Sequence, residues 1–172
     1  DPTITCPADI IITNNPGICG AVVTYLDPIG TDNCVGTTIA QIAGLASGAT
    51  FPVGTTINTF EITDASGNTA TCSFDVTVND IEDPTITCPA DITQDNDAGV
   101  CGATVTYAVT TSDNCTGETV AQTAGQASGT VFPVGTTTNT FIVTDASGNT
   151  ATCSFDVTVN DTEDPTIACP AD

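Results

Sequence analysis

The sequence predicts an all-β chain built of tandem immunoglobulin-like β-sandwich domains. Three observations lead there. A block of about 80 residues occurs twice and starts a third time. Short alternating apolar runs recur between Gly, Pro, Asn and Asp clusters. No stretch carries a 3.6-residue apolar period.

The repeat starts at Asp1-Pro-Thr-Ile-Thr-Cys-Pro-Ala-Asp9, returns at Asp83 and again at Asp164. The period is therefore 82 and then 81 residues. The run from Thr63 to Asp80 is repeated unchanged at 144–161. A period this long is too large for a solenoid and fits a small domain. The expected organisation is repeat 1 at 1–82, repeat 2 at 83–163, and the start of a third at 164–172. On this reading the chain is a window on a longer array, and Cys169 is the third repeat's counterpart of Cys6.

Within repeat 1 the first strand signal is Ala21–Leu26, and Thr37–Ile42 is the next. Thr56–Thr63 alternates apolar and polar residues. Cys72–Val78 does the same, which places Cys72, Phe74, Val76 and Val78 on one face. Asp64-Ala-Ser-Gly-Asn68 between them reads as a tight hairpin, with Gly67 and Asn68 able to take left-handed backbone angles. Some seven short strands in about 80 residues suit a sandwich. Tyr25 and Tyr107 fall at strand positions and are expected in the core or at an interface. A domain this small gains from covalent staples.

Composition excludes several functions. The chain has 172 residues, 21 Asp and Glu, and no Lys, Arg or His, for a net charge of −21. Nucleic acid and anionic membranes need basic residues, so neither partner is expected. Ser–His and Cys–His catalytic pairs are impossible. Paired carboxylates suggest a glycosidase in principle, but every acidic cluster here falls in a turn or linker. No apolar run is long enough to span a bilayer. Nine Cys in a chain without Met or Trp point to an oxidising, extracellular compartment.

The motifs Cys6-Pro7, Asp32-Asn33-Cys34, Phe51-Pro-Val-Gly-Thr-Thr56 and Thr63-Asp-Ala-Ser-Gly-Asn-Thr-Ala-Thr-Cys-Ser-Phe74 stand in this order. Repeat 2 matches them with Asp113-Asn114-Cys115 and Phe132–Thr137. Together they resemble the hyalin repeat, or HYR domain, in the form found in large secreted bacterial surface proteins. The resemblance implies an immunoglobulin-like fold, an extracellular role in adhesion or matrix, and no catalysis.

Four cysteines per repeat allow three pairings. The favoured set is Cys6–Cys72 with Cys19–Cys34, and Cys88–Cys153 with Cys101–Cys115. The rival is a bridge from Cys72 to Cys88, for which the chain would have to double back along an eight-residue strand of about 27 Å. Zinc is disfavoured by the lack of His and of short CxxC spacing.

The acids fall in three places: the junction Asp80-Ile-Glu82-Asp83, the Asp32 and Asp113 loops, and the hairpins at Asp64 and Asp145. Two carboxylates about 5 Å apart repel by roughly 3 kcal/mol at an effective dielectric near 20. In a sandwich the last strand ends at the bottom, while the hairpin and opening strand lie at the top. Asp80, Glu82 and Asp83 are thus expected to meet Asp113, Asn114, Asp145 and Asn149. Such oxygen ligands suit Ca²⁺, and the junction is similar to the acidic, calcium-stiffened linkers of cadherins by analogy. The alternative is that these residues shape turns and are solvated. Asn114-Cys-Thr116 and Asn160-Asp-Thr162 also match the glycosylation sequon.

The functional expectation is a structural repeat of an extracellular surface array or fibre. Its partners would be neighbouring repeats of the same chain or copies of itself. The alternative is an adhesive module for a glycan or protein ligand.

Overall fold

The structure is a computed structural model and describes residues 1–169. All its regular elements are β-strands. They fall in two units, Asp1–Glu82 and a second from Asp83 onward.

The first unit holds β1 (Thr3–Thr5), β2 (Ile10–Thr13), β3 (Gly20–Val22), β4 (Ile29–Thr31), β5 (Thr38–Ala43), β6 (Thr50–Pro52), β7 (Gly54–Thr63) and β8 (Thr69–Asn79). The second repeats this as β9 (Thr85–Thr87), β10 (Ile92–Asp95), β11 (Gly102–Val105), β12 (Thr110–Ser112), β13 (Thr119–Ala124), β14 (Thr130–Pro133), β15 (Gly135–Thr144) and β16 (Thr150–Asn160).

In unit 1 a four-stranded sheet runs β2-β8-β7-β5, with two-stranded pairs β3-β6 and β1-β4. β2 lies parallel to β8, with Ile10 opposite Val76 and Thr13 opposite Asn79. The other pairings are antiparallel. An opening strand that first joins one sheet and then runs parallel to the last strand of the other is an immunoglobulin-like arrangement.

Alternation along β7 and β8 builds the core. Phe60, Phe74, Val76 and Val78 are buried, together with Ala21, Val23 and Phe51 from the opposite sheet. Tyr25 stands edge-on to Phe74 at 5.0 Å and to Phe60 at 6.2 Å, the geometry that aromatic quadrupoles favour. Its hydroxyl donates to the Leu45 carbonyl at 2.6 Å, so the half-buried ring packs on the core without stranding its polar tip. Tyr107 repeats the arrangement with Phe141 and Phe155.

A buried amide fixes the loop beneath the ring. Asn58 is fully buried, and its Oδ1 accepts from Leu45 N at 2.8 Å and Gln41 Nε2 at 3.1 Å. Gly44 has φ +90°, and a Cβ there would lie 2.1 Å from Asn58 Oδ1. Glycine is therefore required both by the backbone angle and by the close approach. Asn139, Gln122 and Gly125 reproduce the corner.

Two expectations shift. The strand foreseen at Ala21–Leu26 leaves the ladder after Val22. Beyond it, Tyr25 exchanges hydrogen bonds with the Ser47 hydroxyl instead of a strand backbone. In the hairpin only Gly67 takes a positive φ, at +87°, while Asn68 keeps an ordinary angle.

Each unit has two poles. At the leading pole, pairing of Thr3 with Thr31 sets the chain start beside the Asp32 loop. A Cβ at Gly36 would sit 3.5 Å from Ala65 Cβ, so this loop also abuts the hairpin. At the trailing pole, the end of β8 meets the loop after β2: Asn14 N donates to the Asn79 carbonyl at 2.9 Å.

Candidate functional site

The cysteines mark both poles. Cys6–Cys72 joins the segment after β1 to β8, with Cα atoms 5.7 Å apart. Cys88–Cys153 does the same in unit 2 at 5.8 Å. Each ties the opening of a repeat to its last strand.

The expected Cys19–Cys34 and Cys101–Cys115 bonds are not formed. Cys34 and Cys101 are exposed free thiols, while Cys19 and Cys115 are each in a disulfide. The reason is the fold. Cys19 lies at the trailing pole, two residues after Gly17, whose N–H donates to Glu82 at 2.9 Å. Cys34 lies at the leading pole, where its N–H donates to Asp32 Oδ2 at 3.1 Å. The 11 residues of β8 separate the poles by about 33 Å. A disulfide spans at most about 7 Å between Cα atoms. Cys169 is a third exposed thiol.

The acids divide by employment. Asp64 shapes its hairpin: Oδ1 accepts from Ser66 N and Asn68 N, both at 2.8 Å, and Oδ2 from Asn68 Nδ2 at 2.8 Å. The Asn68 side chain, helped by these backbone groups against some burial, holds the Asp64 carboxyl below the usual range. Asp145 makes the same bonds to Ser147 and Asn149. Burial pushes Asp145 up, but those donors together outweigh it and leave the carboxyl lowered. Both oxygens of Asp145 thus serve the turn, and Asn149 donates to it.

Glu82 also works inside its own repeat. Its two oxygens accept from Gly17 N at 2.9 Å, and Oε2 accepts from Asn14 Nδ2 at 3.2 Å. Asn14 Oδ1 in turn accepts from Ile81 N, and Asp80 Oδ1 from Glu82 N. Glu163, Asn96 and Asp161 repeat this clasp in unit 2. The clasp role of Asn14 and Asn96 was not foreseen from sequence; their recurrence at the same repeat position was the available signal. Asp97 accepts from Thr104 N and Oγ1, which fixes the loop that follows β10.

The leading-pole aspartates remain. Asp32 and Asp113 each give Oδ2 to the N–H two residues on, and each keeps a buried Oδ1 that accepts no hydrogen bond. The Asp32 side chain is 1% exposed, and the N-terminal ammonium of Asp1 stands 3.8 Å from its Oδ1. A buried carboxylate oxygen of this kind calls for a cation, and a hard oxygen donor fits Ca²⁺. Asp83 is exposed and Asp80 is buried at 7%.

Asn160 is exposed at the end of β16. Asn114 is half-buried, with Nδ2 3.7 Å from Cys115 Sγ. At the trailing pole of unit 2 an open depression of about 530 Å³ is lined by Asn96, Gly99, Val100, Cys101, Asp161, Glu163, Asp164 and Pro165.

Comparison with known proteins agrees with this architecture. The HYR domain matches residues 1–78 and again 79–159. Hyalin of Strongylocentrotus purpuratus is 36% identical over 98% of the chain, which spans 14% of that protein. Hyalin of Lytechinus variegatus is 35% identical over 99% of the chain, which spans 33% of it. A serine-rich adhesin for platelets from Staphylococcus aureus (strain MRSA252) is 33% identical over 78% of the chain and 12% of its own length. The chain thus covers a minor part of each relative. Disulfides in both repeats and kinship with these proteins make it an extracellular or cell-surface module. Two consecutive matches that together cover nearly the whole sequence establish that the chain belongs to the HYR domain family.

Proposed function

We propose that the chain is a structural repeat of an extracellular surface array or fibre, that it resists tension, and that it is not an enzyme. The observation that carries this reading is the duplication of the framework: the staple, the hairpin aspartate and the trailing-pole glutamate clasp recur in both repeats. A dedicated ligand site would more naturally make one repeat diverge. The staple closes 66 residues in repeat 1 and 65 in repeat 2, so a pulling force along the chain meets a covalent bond before it reaches most of the core.

Ca²⁺ at the leading pole of each repeat belongs to the same proposal. Asp113 and Asn114 would hold it, joined by Asp80 and Asp83 of the preceding junction. Asn149 stays in the set, since its side chain serves the hairpin as a donor; Asp145 and Glu82 are secondary, because their oxygens already accept hydrogen bonds in the hairpin and the clasp. The buried Oδ1 of Asp113 supports the site. The partners are then the neighbouring repeats and further copies in a fibre. Melting temperature and solution length, each measured with excess calcium and with chelator, test this: calcium raises the first and lengthens the second. Identical values in both conditions would refute the metal.

The relative named as an adhesin for platelets favours a second reading, an adhesive module for a glycan or protein. Saturable binding of the monomeric chain to an immobilised glycan or protein panel would support it over the structural role.

A further inference from the structure

Cys101 and Cys34 are the same two repeat positions as Cys19 and Cys115, 82 and 81 residues removed. Yet Cys19 and Cys115 are disulfide-bonded and Cys101 and Cys34 are free. The two position types therefore both accept a bond, and what differs is the surroundings of each copy. Pairing within one repeat is blocked, because the trailing-pole and leading-pole positions stand about 33 Å apart along the last strand. The free thiols that remain are one of each type: Cys34 at a leading pole and Cys101 at a trailing pole. Both are exposed. Cys101 lines the open depression beside Glu163, Asp164 and Pro165, where the chain leaves the repeat.

We propose that Cys34 and Cys101 are coupling thiols. In a longer array the trailing-pole cysteine of one repeat forms a disulfide with the leading-pole cysteine of the repeat that follows. Cys101 is the donor position for a following repeat, and Cys34 the receiving position for a preceding one. The partner chemistry is thus a thiol of a flanking HYR repeat. The step is an oxidation: two thiols lose two protons and two electrons as one S–S bond forms. The oxidant is the disulfide of a thiol–disulfide exchange partner, which is reduced to two thiols. An oxidising extracellular setting supplies such partners. The outcome is a covalent link at every junction, added to the staple inside every repeat.

The test extends the full chain. Residues 10–163 are appended after Asp172, the counterpart of Asp9, so that two further repeats follow. The protein is oxidised with a glutathione couple, its free thiols are titrated under denaturing conditions, and its disulfides are mapped after cleavage at Asp and aromatic residues, since trypsin has no site. The chain alone has three free thiols. In the extended protein Cys169 gains the appended Cys72. Coupling leaves two free thiols, the original Cys34 and the appended Cys101, and a mapped bond from the original Cys101 to the appended Cys34. Four free thiols would overturn the proposal, and so would none, which would mean pairing within repeats. A covalent dimer on a non-reducing gel would overturn it in favour of a second copy. Replacing the original Cys101 (C101S) raises the thiol count if coupling occurs, by releasing the appended Cys34, and lowers it if coupling does not occur.

Discussion

Asn58→Ala is expected to destabilise repeat 1 by about 2 kcal/mol, although the residue belongs to none of the acidic clusters. Its Oδ1 accepts two hydrogen bonds in a fully buried site. Alanine leaves the Leu45 N–H without an acceptor, and a buried donor left unmade costs roughly 1–3 kcal/mol. Gln41 loses less, since its Nε2 also donates to the Ala43 and Leu45 carbonyls at 3.1 and 3.0 Å; about 0.5 kcal/mol is reasonable. An offset comes from Asn58 Nδ2, which is buried with no hydrogen-bond partner, so its removal recovers up to about 1 kcal/mol. For a domain of this size each kcal/mol moves Tm by about 4–8 °C. Asn58→Ala combined with Asn139→Ala should therefore lower Tm by roughly 8–16 °C in both repeats. Ile57→Ala, at a 57% exposed neighbour, serves as the control and should stay within about 0.5 kcal/mol. Calorimetry on the oxidised chain measures all three. If the asparagine variants melt within a degree of the parent, the buried amide does not hold the loop and the reasoning fails.

Three further outcomes follow from the same structure. Removal of one staple as Cys6→Ala with Cys72→Ala opens a 66-residue loop, and the chain-entropy relation gives a loss of about 4 kcal/mol, a large part of what holds a small domain together; denaturant titration should show repeat 1 unfolding well before repeat 2. The lowered carboxyls of Asp64 and Asp145 contribute hairpin stability that is full above the unfolded value near pH 4 and is lost as pH falls through the folded values; amide exchange at Asn68 and Asn149 should quicken below that point, even while protonation relieves the repulsion of a −21 chain. Glu82→Ala deletes an acceptor of Gly17 N and Asn14 Nδ2, and at this exposed loop the cost is about 1 kcal/mol, seen as faster exchange of the Gly17 amide with the core unchanged.

Sequence alone made the long features legible. The ten residues of β7 and eleven of β8 show their period-2 alternation, and an unchanged hairpin run advertises its turn. The same strand order leads to the Cys6–Cys72 bond. Short elements were not legible: β1, β4 and β6 have three residues each, too few for any period to emerge. The Tyr25–Gln41–Asn58 corner was hidden because its partners sit 16 and 17 residues apart and look like ordinary strand residues. The cysteine error has a physical lesson. Cys19 and Cys34 are near in sequence, but the 14 residues between them carry the chain from one pole to the other, and extended chain covers about 3.3 Å per residue. Among the acids, the hairpin and clasp residues could not be told from ligands until their donors were seen.

Single-molecule stretching of the oxidised chain tests the central claim, that each repeat is a covalently stapled element built for tension. The staples hide 66 and 65 residues, or about 230 Å of contour per repeat at roughly 3.5 Å per residue. Pulled from its ends without reductant, the chain should give no unfolding step of that length, and each repeat should release about 230 Å only after its staple and the further disulfide at Cys19 or Cys115 are both reduced. Steps of that size or longer in the oxidised protein would contradict the account.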